Sequence, residues 1–186
     1  MERWTNRVAI ITGAGSGIGA AVARFLAENA GMRLAIVDLE LSSVQKLAGE
    51  LNACKQSVKV HALQCDVSKE EDVLRVVKWT RDNLGGADVI VNAAGVYFLL
   101  PLAVCLFNRE VIKDMRDRKV DDGHLFNICS LSGQYIMEVE GLYPYAASKH
   151  SIRVLTEGMR RELRDLGTKI RITVHEITIR PVAEDK

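Results

Sequence analysis

Hydrophobic and polar positions along the chain follow two alternating periods. Short continuous apolar runs, typical of strands buried on both faces of a sheet, occupy residues 8–11, 34–37, 58–63, 89–91, 125–129 and 170–174. Longer segments between them repeat apolar residues with helical spacing: one from about Ile18, one through Val44, Leu47 and Leu51, and others near 69–83, 104–115 and 145–166. This alternation predicts right-handed βαβ crossovers, and hence a doubly wound, Rossmann-type α/β fold with a parallel sheet and helices on both faces.

Composition indicates one ordinary globular domain. The chain has 186 residues, of which 48% are hydrophobic and 26% charged, and no repeat or Pro-rich linker divides residues 1–186. Only the tail, 176–186, is atypical. The 25 basic and 24 acidic residues give a net charge of +1, which offers no electrostatic reason to expect nucleic acid as a partner. No apolar run is long enough to span a membrane, so we expect a cytoplasmic protein.

The four cysteines show no metal-binding pattern. Cys54, Cys65, Cys105 and Cys129 are widely spaced, contain no C-x-x-C pair and lie among apolar residues. We therefore expect reduced core cysteines and no metal site.

A glycine-rich turn joins the first predicted strand to the first helix, in Thr12-Gly13-Ala14-Gly15-Ser16-Gly17-Ile18-Gly19. Such a turn lets the backbone approach a pyrophosphate, and the helix N-terminus adds free N–H groups and a favourable dipole. The sequence therefore predicts dinucleotide contacts from Gly13, Ser16, Gly17, Ile18 and Gly19. A glycine-rich turn without a ligand is the alternative.

Two acidic residues follow later strands. Asp38 ends the second strand about twenty residues beyond the turn, where a carboxylate can accept hydrogen bonds from ribose hydroxyls. NADP is less favoured than NAD, because Asp38 would repel a 2′-phosphate and the next residue is Leu39 rather than an arginine. Asp38 could instead be a helix cap or loop residue. Asp66 and Val67 could touch the adenine, or Asp66 could be a turn residue.

A tyrosine and a lysine stand one helical turn apart, at Tyr145 and Lys149. Free tyrosine has a pKa near 10, so proton exchange at neutral pH requires a neighbouring positive charge that stabilises the phenolate. Lys149 could supply that charge, and Ser130, after the fifth apolar run, could hold a substrate oxygen. The alternative is an ordinary solvated helix face.

Four motifs in this order resemble the short-chain dehydrogenase/reductase family: Thr12-Gly13-x-x-x-Gly17-x-Gly19, Asn92-Ala93-Ala94-Gly95, Ser130-Leu131-Ser132-Gly133 and Tyr145-x-x-x-Lys149. Segments 1–4, 120–124 and 155–164 are similar to the branch that contains animal farnesol dehydrogenases and member 11-type reductases. The resemblance reaches from the N-terminus to about Thr173.

This resemblance implies a role for each matching residue. Tyr145 is the general acid/base, Lys149 stabilises its phenolate and holds the nicotinamide ribose, and Ser130 orients the substrate, with Ser132 and Tyr143 as rivals. Asn92 and Gly95 would support the adenosine side of the cofactor site. Hydride would pass between the nicotinamide and a hydrophobic alcohol or ketone, and association into a homo-oligomer is expected.

Two departures from the family pattern concern the substrate half of the site. The family has an asparagine at the start of the helix after Asn92-Ala93-Ala94-Gly95, whereas this chain has Leu100 or its neighbours there, and Asn108 lies at least two turns further on. After the sixth strand the family continues with a Pro-Gly turn, a substrate-covering segment, further helices and a final strand. These differences suggest an internally shortened, C-terminally truncated and incomplete fold. The alternative function is therefore an impaired relative that binds dinucleotide or pairs with full-length subunits.

Overall fold

The computed structural model describes residues 2–54, 59–95, 100–136 and 140–177. In these segments the strands are β1 (Val8–Thr12), β2 (Arg33–Asp38), β3 (Val60–Gln64), β4 (Val89–Asn92), β5 (His124–Ser130) and β6 (Arg171–Ile177). The α-helices are α1 (Gly17–Ala30), α2 (Leu41–Cys54), α3 (Glu70–Leu84), α4 (Leu100–Asp117) and α5 (Tyr143–Asp165). Short 3-10 helices occupy Glu2–Trp4 and Leu131–Gly133.

The strands form one parallel sheet in the order β3-β2-β1-β4-β5-β6. This arrangement confirms the predicted doubly wound α/β fold. The chain moves outward from β1 to β3 and then crosses back to β4, so the order reverses between β1 and β4. In such sheets ligands bind at the carboxyl ends of the strands beside that reversal.

Two apolar layers cover the sheet. Helices α1 and α2 pack on one face through residues such as Ala23 and Val44, and α3, α4 and α5 pack on the other through residues such as Val76, Phe107 and Leu163. All five β1 residues are buried, as expected for a central strand with both faces covered.

Strand β5 is covered less evenly. Its residues alternate between partly exposed and buried, and Phe126 and Ile128 are among the partly exposed ones. These two side chains line an apolar trough of about 430 Å³ beside α1, together with Trp4, Val22 and Leu26. The described part of the chain therefore covers the α4/α5 face of β5 and leaves the α1 face open.

Several predicted boundaries change. The helix expected at 104–115 runs from Leu100 to Asp117, and β6 continues to Ile177, so the first two residues of the predicted tail lie in a strand. Val58, residues 96–99 between the Asn92-Ala93-Ala94-Gly95 motif and α4, and residues 178–186 lie outside the described residues. The expectation that all four cysteines are core residues is wrong for Cys54, which is exposed at the end of α2. Within the described segments, no helix combines the length and apolar character needed to cross a bilayer.

Candidate functional site

The glycine turn between β1 and α1 is packed too closely for larger residues. Gly13 has φ of 66°, and a Cβ atom there would lie 2.6 Å from the Cα atom of Ala94. A Cβ at Gly19 would lie 2.2 Å from the carbonyl oxygen of Gly13. Since real Cβ contacts are not this short, only glycine fits both positions, and the turn lies directly against the segment that follows β4.

The first turn of α1 is open on its outer side. Gly17 has φ of 52°, and no neighbouring atom lies within 4 Å of where its Cβ would be. Ser16 is the N-cap residue, but its side chain makes no capping hydrogen bond. A helix N-terminus with this arrangement has backbone N–H groups and a dipole that favour an anion.

The residues after β4 complete the wall of the same cleft. The Thr12 hydroxyl accepts hydrogen bonds from the backbone N–H groups of Ala93 and Ala94, at 3.1 and 3.0 Å, which fixes this segment beside the glycine turn. A cleft of about 340 Å³ results, lined by Gly13, Ser16, Gly17, Ile18, Gly19, Asp38, Leu39, Cys65, Asp66, Val67, Ala93, Ala94 and Gly95. Nine of the predicted cofactor residues therefore meet at one place.

Asp38 is fixed against the glycine turn. Its Oδ2 atom accepts a hydrogen bond from the Gly15 N–H at 2.9 Å, and its Oδ1 atom accepts one from the Glu40 N–H at 3.1 Å. A Cβ at Gly15 would come within 2.9 Å of the carboxyl carbon. The bond from Glu40 is the local loop contact that the alternative interpretation of Asp38 predicted. The same carboxylate also lines the cleft.

Asp66 is held in a turn. Its Oδ1 atom accepts hydrogen bonds from the Ser68 hydroxyl at 2.6 Å and from the Ser68 N–H at 3.0 Å. These two bonds lower the pKa of the Asp66 carboxyl. The turn interpretation therefore accounts for this carboxylate, while an adenine contact by Asp66 or Val67 stays a prediction.

Ser130 lies at the carboxyl end of β5 and is more accessible than its rival. The backbone N–H of Ser132 donates to the Ser130 hydroxyl at 3.2 Å, and that hydroxyl donates to the Ser132 hydroxyl at 3.3 Å. Ser132 is only 1% exposed, whereas Ser130 is partly exposed. Of the two serines, Ser130 is the one that a substrate could reach.

Tyr145 and Lys149 lie on the inner side of α5. Lys149 is 6% exposed, its Nζ atom lies 5.5 Å from the centre of the Tyr145 ring, and it donates to the backbone carbonyl of Ile128 at 3.4 Å. Burial lowers the pKa of Lys149. The pair is therefore not an ordinary solvated helix face, since a desolvated ammonium stands beside a phenol. Tyr143, the other rival, is 55% exposed at the start of the helix.

Asn92 lies behind the cleft rather than in its wall. It is 3% exposed, and its Nδ2 atom donates to the Oδ1 atoms of Asn108 and Asn127, both at 2.9 Å. The sequence predicted no role for Asn127, and Asn108 was expected only as an asparagine too far along the chain to complete the site. The available signal was a polar residue inside the apolar run 125–129, opposite Asn92 if the two strands pair.

Comparison with known proteins agrees with this geometry. The family profile described as short chain dehydrogenase matches residues 7–183. The chain belongs to the short-chain dehydrogenase family. The family resemblance proposed from the four motifs is thereby confirmed, and the protein is assigned to a family of oxidoreductases.

Two animal proteins are similar to this chain over most of its length. Dehydrogenase/reductase SDR family member 11 of Homo sapiens is 35% identical over 190 residues, covering 93% of this chain and 73% of that protein. Farnesol dehydrogenase of Aedes aegypti is 36% identical over 191 residues, covering 93% and 77%. Both belong to the branch suggested by the sequence.

Solved short-chain dehydrogenases share the architecture and contain either nicotinamide cofactor. A Burkholderia phymatum enzyme in complex with NAD has a TM-score of 0.80 and 25% identity, covering 94% of this chain and 66% of that one. An alcohol dehydrogenase from Thermococcus sibiricus, complexed with 5-hydroxy-NADP, has a TM-score of 0.80 and 26% identity, covering 91% and 75%. These structures are consistent with a nicotinamide cofactor and do not distinguish NAD from NADP.

Proposed function

We propose that this short-chain dehydrogenase transfers hydride between NAD and a hydrophobic alcohol or ketone. The observation that carries the proposal is the buried Lys149 ammonium 5.5 Å from the Tyr145 ring. The pair lies at the start of α5, which follows the carboxyl end of β5. In the sheet, β5 is two strands away from β1, whose carboxyl end leads into the glycine turn. A proton-exchanging phenol and a phosphate-binding turn are thus on one edge of the sheet, as a dehydrogenase requires.

The residues of the cleft fit a dinucleotide. The open first turn of α1 and Gly17 would hold the pyrophosphate, Asp38 the adenosine ribose, and Lys149 the nicotinamide ribose. A bound nicotinamide would supply the hydride acceptor or donor. Tyr145 would exchange a proton with the substrate oxygen, Lys149 would stabilise the phenolate electrostatically, and Ser130 would orient that oxygen by a hydrogen bond.

The preference for NAD rests on Asp38. Its carboxylate is fixed by Gly15 and Glu40 and lines the cleft, so a 2′-phosphate would approach a held negative charge. Leu39, which is 63% exposed, offers no cation that could compensate.

The substrate class rests on relatives. The Aedes aegypti protein is named farnesol dehydrogenase, and farnesol is an apolar alcohol. Isoprenoid, retinoid and steroid alcohols are therefore the first compounds to try. We place the activity in the cytoplasm and expect a homo-oligomer, which light scattering on the purified protein tests.

The decisive experiment incubates purified protein with NAD and each alcohol, and follows NADH absorbance. Tyr145→Phe should abolish turnover while leaving NADH binding within about threefold of wild type. Tyr143→Phe is the matched control, because it removes a neighbouring exposed hydroxyl from the same helix and should leave turnover unchanged. Turnover that survives in Tyr145→Phe contradicts the proposed mechanism.

A second candidate is a dinucleotide-binding relative without turnover, alone or paired with full-length subunits. The observation that favours it concerns α4, which begins Leu100-Pro101-Leu102: leucine stands where the family resemblance leads us to expect an asparagine, and Asn108 is buried in the core. NADH binding by the wild type without oxidation of any alcohol would favour this candidate over the first.

A further inference from the structure

A buried group of four polar side chains connects the elements that carry the proposed site. Asn92 ends β4, Asn108 is in α4, Asn127 is in β5 and Thr156 is in α5. Their exposed fractions are 3%, 0%, 0% and 6%. Polar side chains in an apolar core carry a desolvation cost that hydrogen bonds must offset, so the partners of these four residues matter for stability.

The hydrogen bonds join these residues into one network. Asn92 donates to Asn108 and Asn127; Asn108 donates to the Asn127 Oδ1 atom at 3.2 Å; and Asn127 donates to the Thr156 hydroxyl at 2.9 Å. Asn108 is thus the member that links α4 to both strands. Replacing it by an apolar residue would remove the acceptor of one Asn92 N–H and leave that donor unpaired in the core.

Two ends of the network reach the site. The residue after Asn127 is Ile128, whose carbonyl oxygen accepts the hydrogen bond from Lys149. Thr156 lies two helical turns beyond Lys149 on the buried side of α5, with Ile152 between them. The Asn127–Thr156 bond therefore fixes the position of α5 along β5, and with it the position of the lysine relative to its carbonyl partner.

We propose that Asn108 is a positioning residue, which acts through Asn127 and Thr156 to set where α5 holds Lys149 and Tyr145. This inference rests on the proposed function, because the groups that it positions are the proposed proton-exchange pair. A merely structural Asn108 would affect folding stability alone. A positioning Asn108 also affects the rate and the pH dependence of turnover.

The test compares Asn108→Leu and Thr156→Val with Thr80→Val. The first two are near-isosteric changes at opposite ends of the network. Thr80→Val is the matched control, because Thr80 is a fully buried threonine in α3 whose hydroxyl donates to Val76, away from the site. Measurements are the melting temperature, kcat and KM, the pH dependence of kcat, and hydrogen exchange in peptides from α5 and α3.

Each network variant should lower kcat at least about fivefold and shift the acid limb of the kcat profile, while Thr80→Val moves only the melting temperature. The double variant Asn108→Leu/Thr156→Val should be no slower than the worse single variant, because both changes break one network. Unchanged kcat and pH limb in the network variants overturn the proposal, as do fully additive losses. If Asn108→Leu does not fold, Thr156→Val decides.

Hydrogen exchange separates this inference from the proposed function. Loss of the network should accelerate exchange in the first half of α5 about tenfold while α3 stays as in wild type. If wild type has no turnover but α5 responds in this way, the positioning role stands and the proposed activity fails. If α5 exchange does not respond, the positioning role is refuted whether or not the protein is active.

Discussion

Replacing Gly19 by alanine tests the close packing of the glycine turn. Gly19 is buried in the first turn of α1, and a Cβ there would lie 2.2 Å from the Gly13 carbonyl oxygen. Because favourable contacts between such atoms need about 3.5 Å, the helix and the turn must move apart by at least about 1 Å. Both atoms belong to the backbone framework, so no side-chain rotation can relieve the contact.

The magnitude follows from two opposing terms. Alanine has a higher helix propensity than glycine, worth about 1 kcal/mol, whereas overpacking of this kind costs about 3 kcal/mol or more. We therefore expect a net loss of about 2–4 kcal/mol, which lowers the melting temperature by roughly 5–15 °C in a protein of this size. NADH affinity should fall more than tenfold, because the turn and the α1 N-terminus separate.

Thermal denaturation and NADH fluorescence titration measure both effects, and two other glycines serve as controls. Gly17→Ala meets no atom within 4 Å but has φ of 52°, so it should cost only about 1 kcal/mol while still weakening NADH binding. Gly49→Ala, in open space on α2, should be neutral or slightly stabilising. If Gly19→Ala matches the Gly49→Ala variant in both measurements, the inferred contact between turn and helix is wrong.

Three further predictions concern charged groups. Asp38→Asn removes the charge that faces a 2′-phosphate, so the ratio of NADPH to NADH affinity should rise about tenfold in fluorescence titrations, and an unchanged ratio refutes the NAD preference. Asp66→Ala removes the acceptor for both Ser68 bonds and should cost about 1 kcal/mol by thermal denaturation, with NADH affinity preserved if the carboxylate serves only the turn. Burial lowers the pKa of His124 to about 4, so between about pH 6.5 and 4 the unfolded protein binds a proton at His124 more readily than the folded protein does. The stability that neutral His124 allows is therefore complete above about pH 6.5 and is lost as pH falls towards 4. His124→Asn should therefore reduce the acid destabilisation between those values by about 1–2 kcal/mol after allowance for solvent screening, and an unaltered stability profile contradicts this assignment.

The sequence pattern predicted the order and type of the main elements because the sheet is buried on both faces where its strands are central. The apolar runs at β1, β2 and β4 have no competing interpretation, and the glycine turn between β1 and α1 depends on local backbone geometry alone. The predicted ends of helices were less exact where the helical spacing of apolar residues is weak. Helix α4 extends four residues before the predicted start, through Leu100-Pro101-Leu102-Ala103.

The buried network could not be predicted in the same way, since it depends on side chains from four elements. Asn127 interrupts an apolar run, but its partners Asn108 and Thr156 have no sequence pattern that separates them from exposed residues of amphipathic helices. Their meeting is a consequence of how α4 and α5 pack on β4 and β5. Local signals therefore identified the cofactor residues, whereas the supports of the reacting residues required tertiary structure.

The two halves of the proposed site also depend on differently covered parts of the sheet. The glycine turn, Asp38 and the segment after β4 lie at the carboxyl ends of β1, β2 and β4, and β1 is buried throughout. Ser130 and the carbonyl that holds Lys149 belong to β5, whose α1-facing residues Phe126 and Ile128 line the open trough. Movement of β5 would therefore disturb the reacting residues while the nucleotide cleft keeps its shape. Ile128→Ala removes part of this wall, and we expect it to lower kcat by a larger factor than it lowers NADH affinity. If steady-state kinetics and NADH titration show the larger loss in NADH affinity, the two halves of the site are not separable.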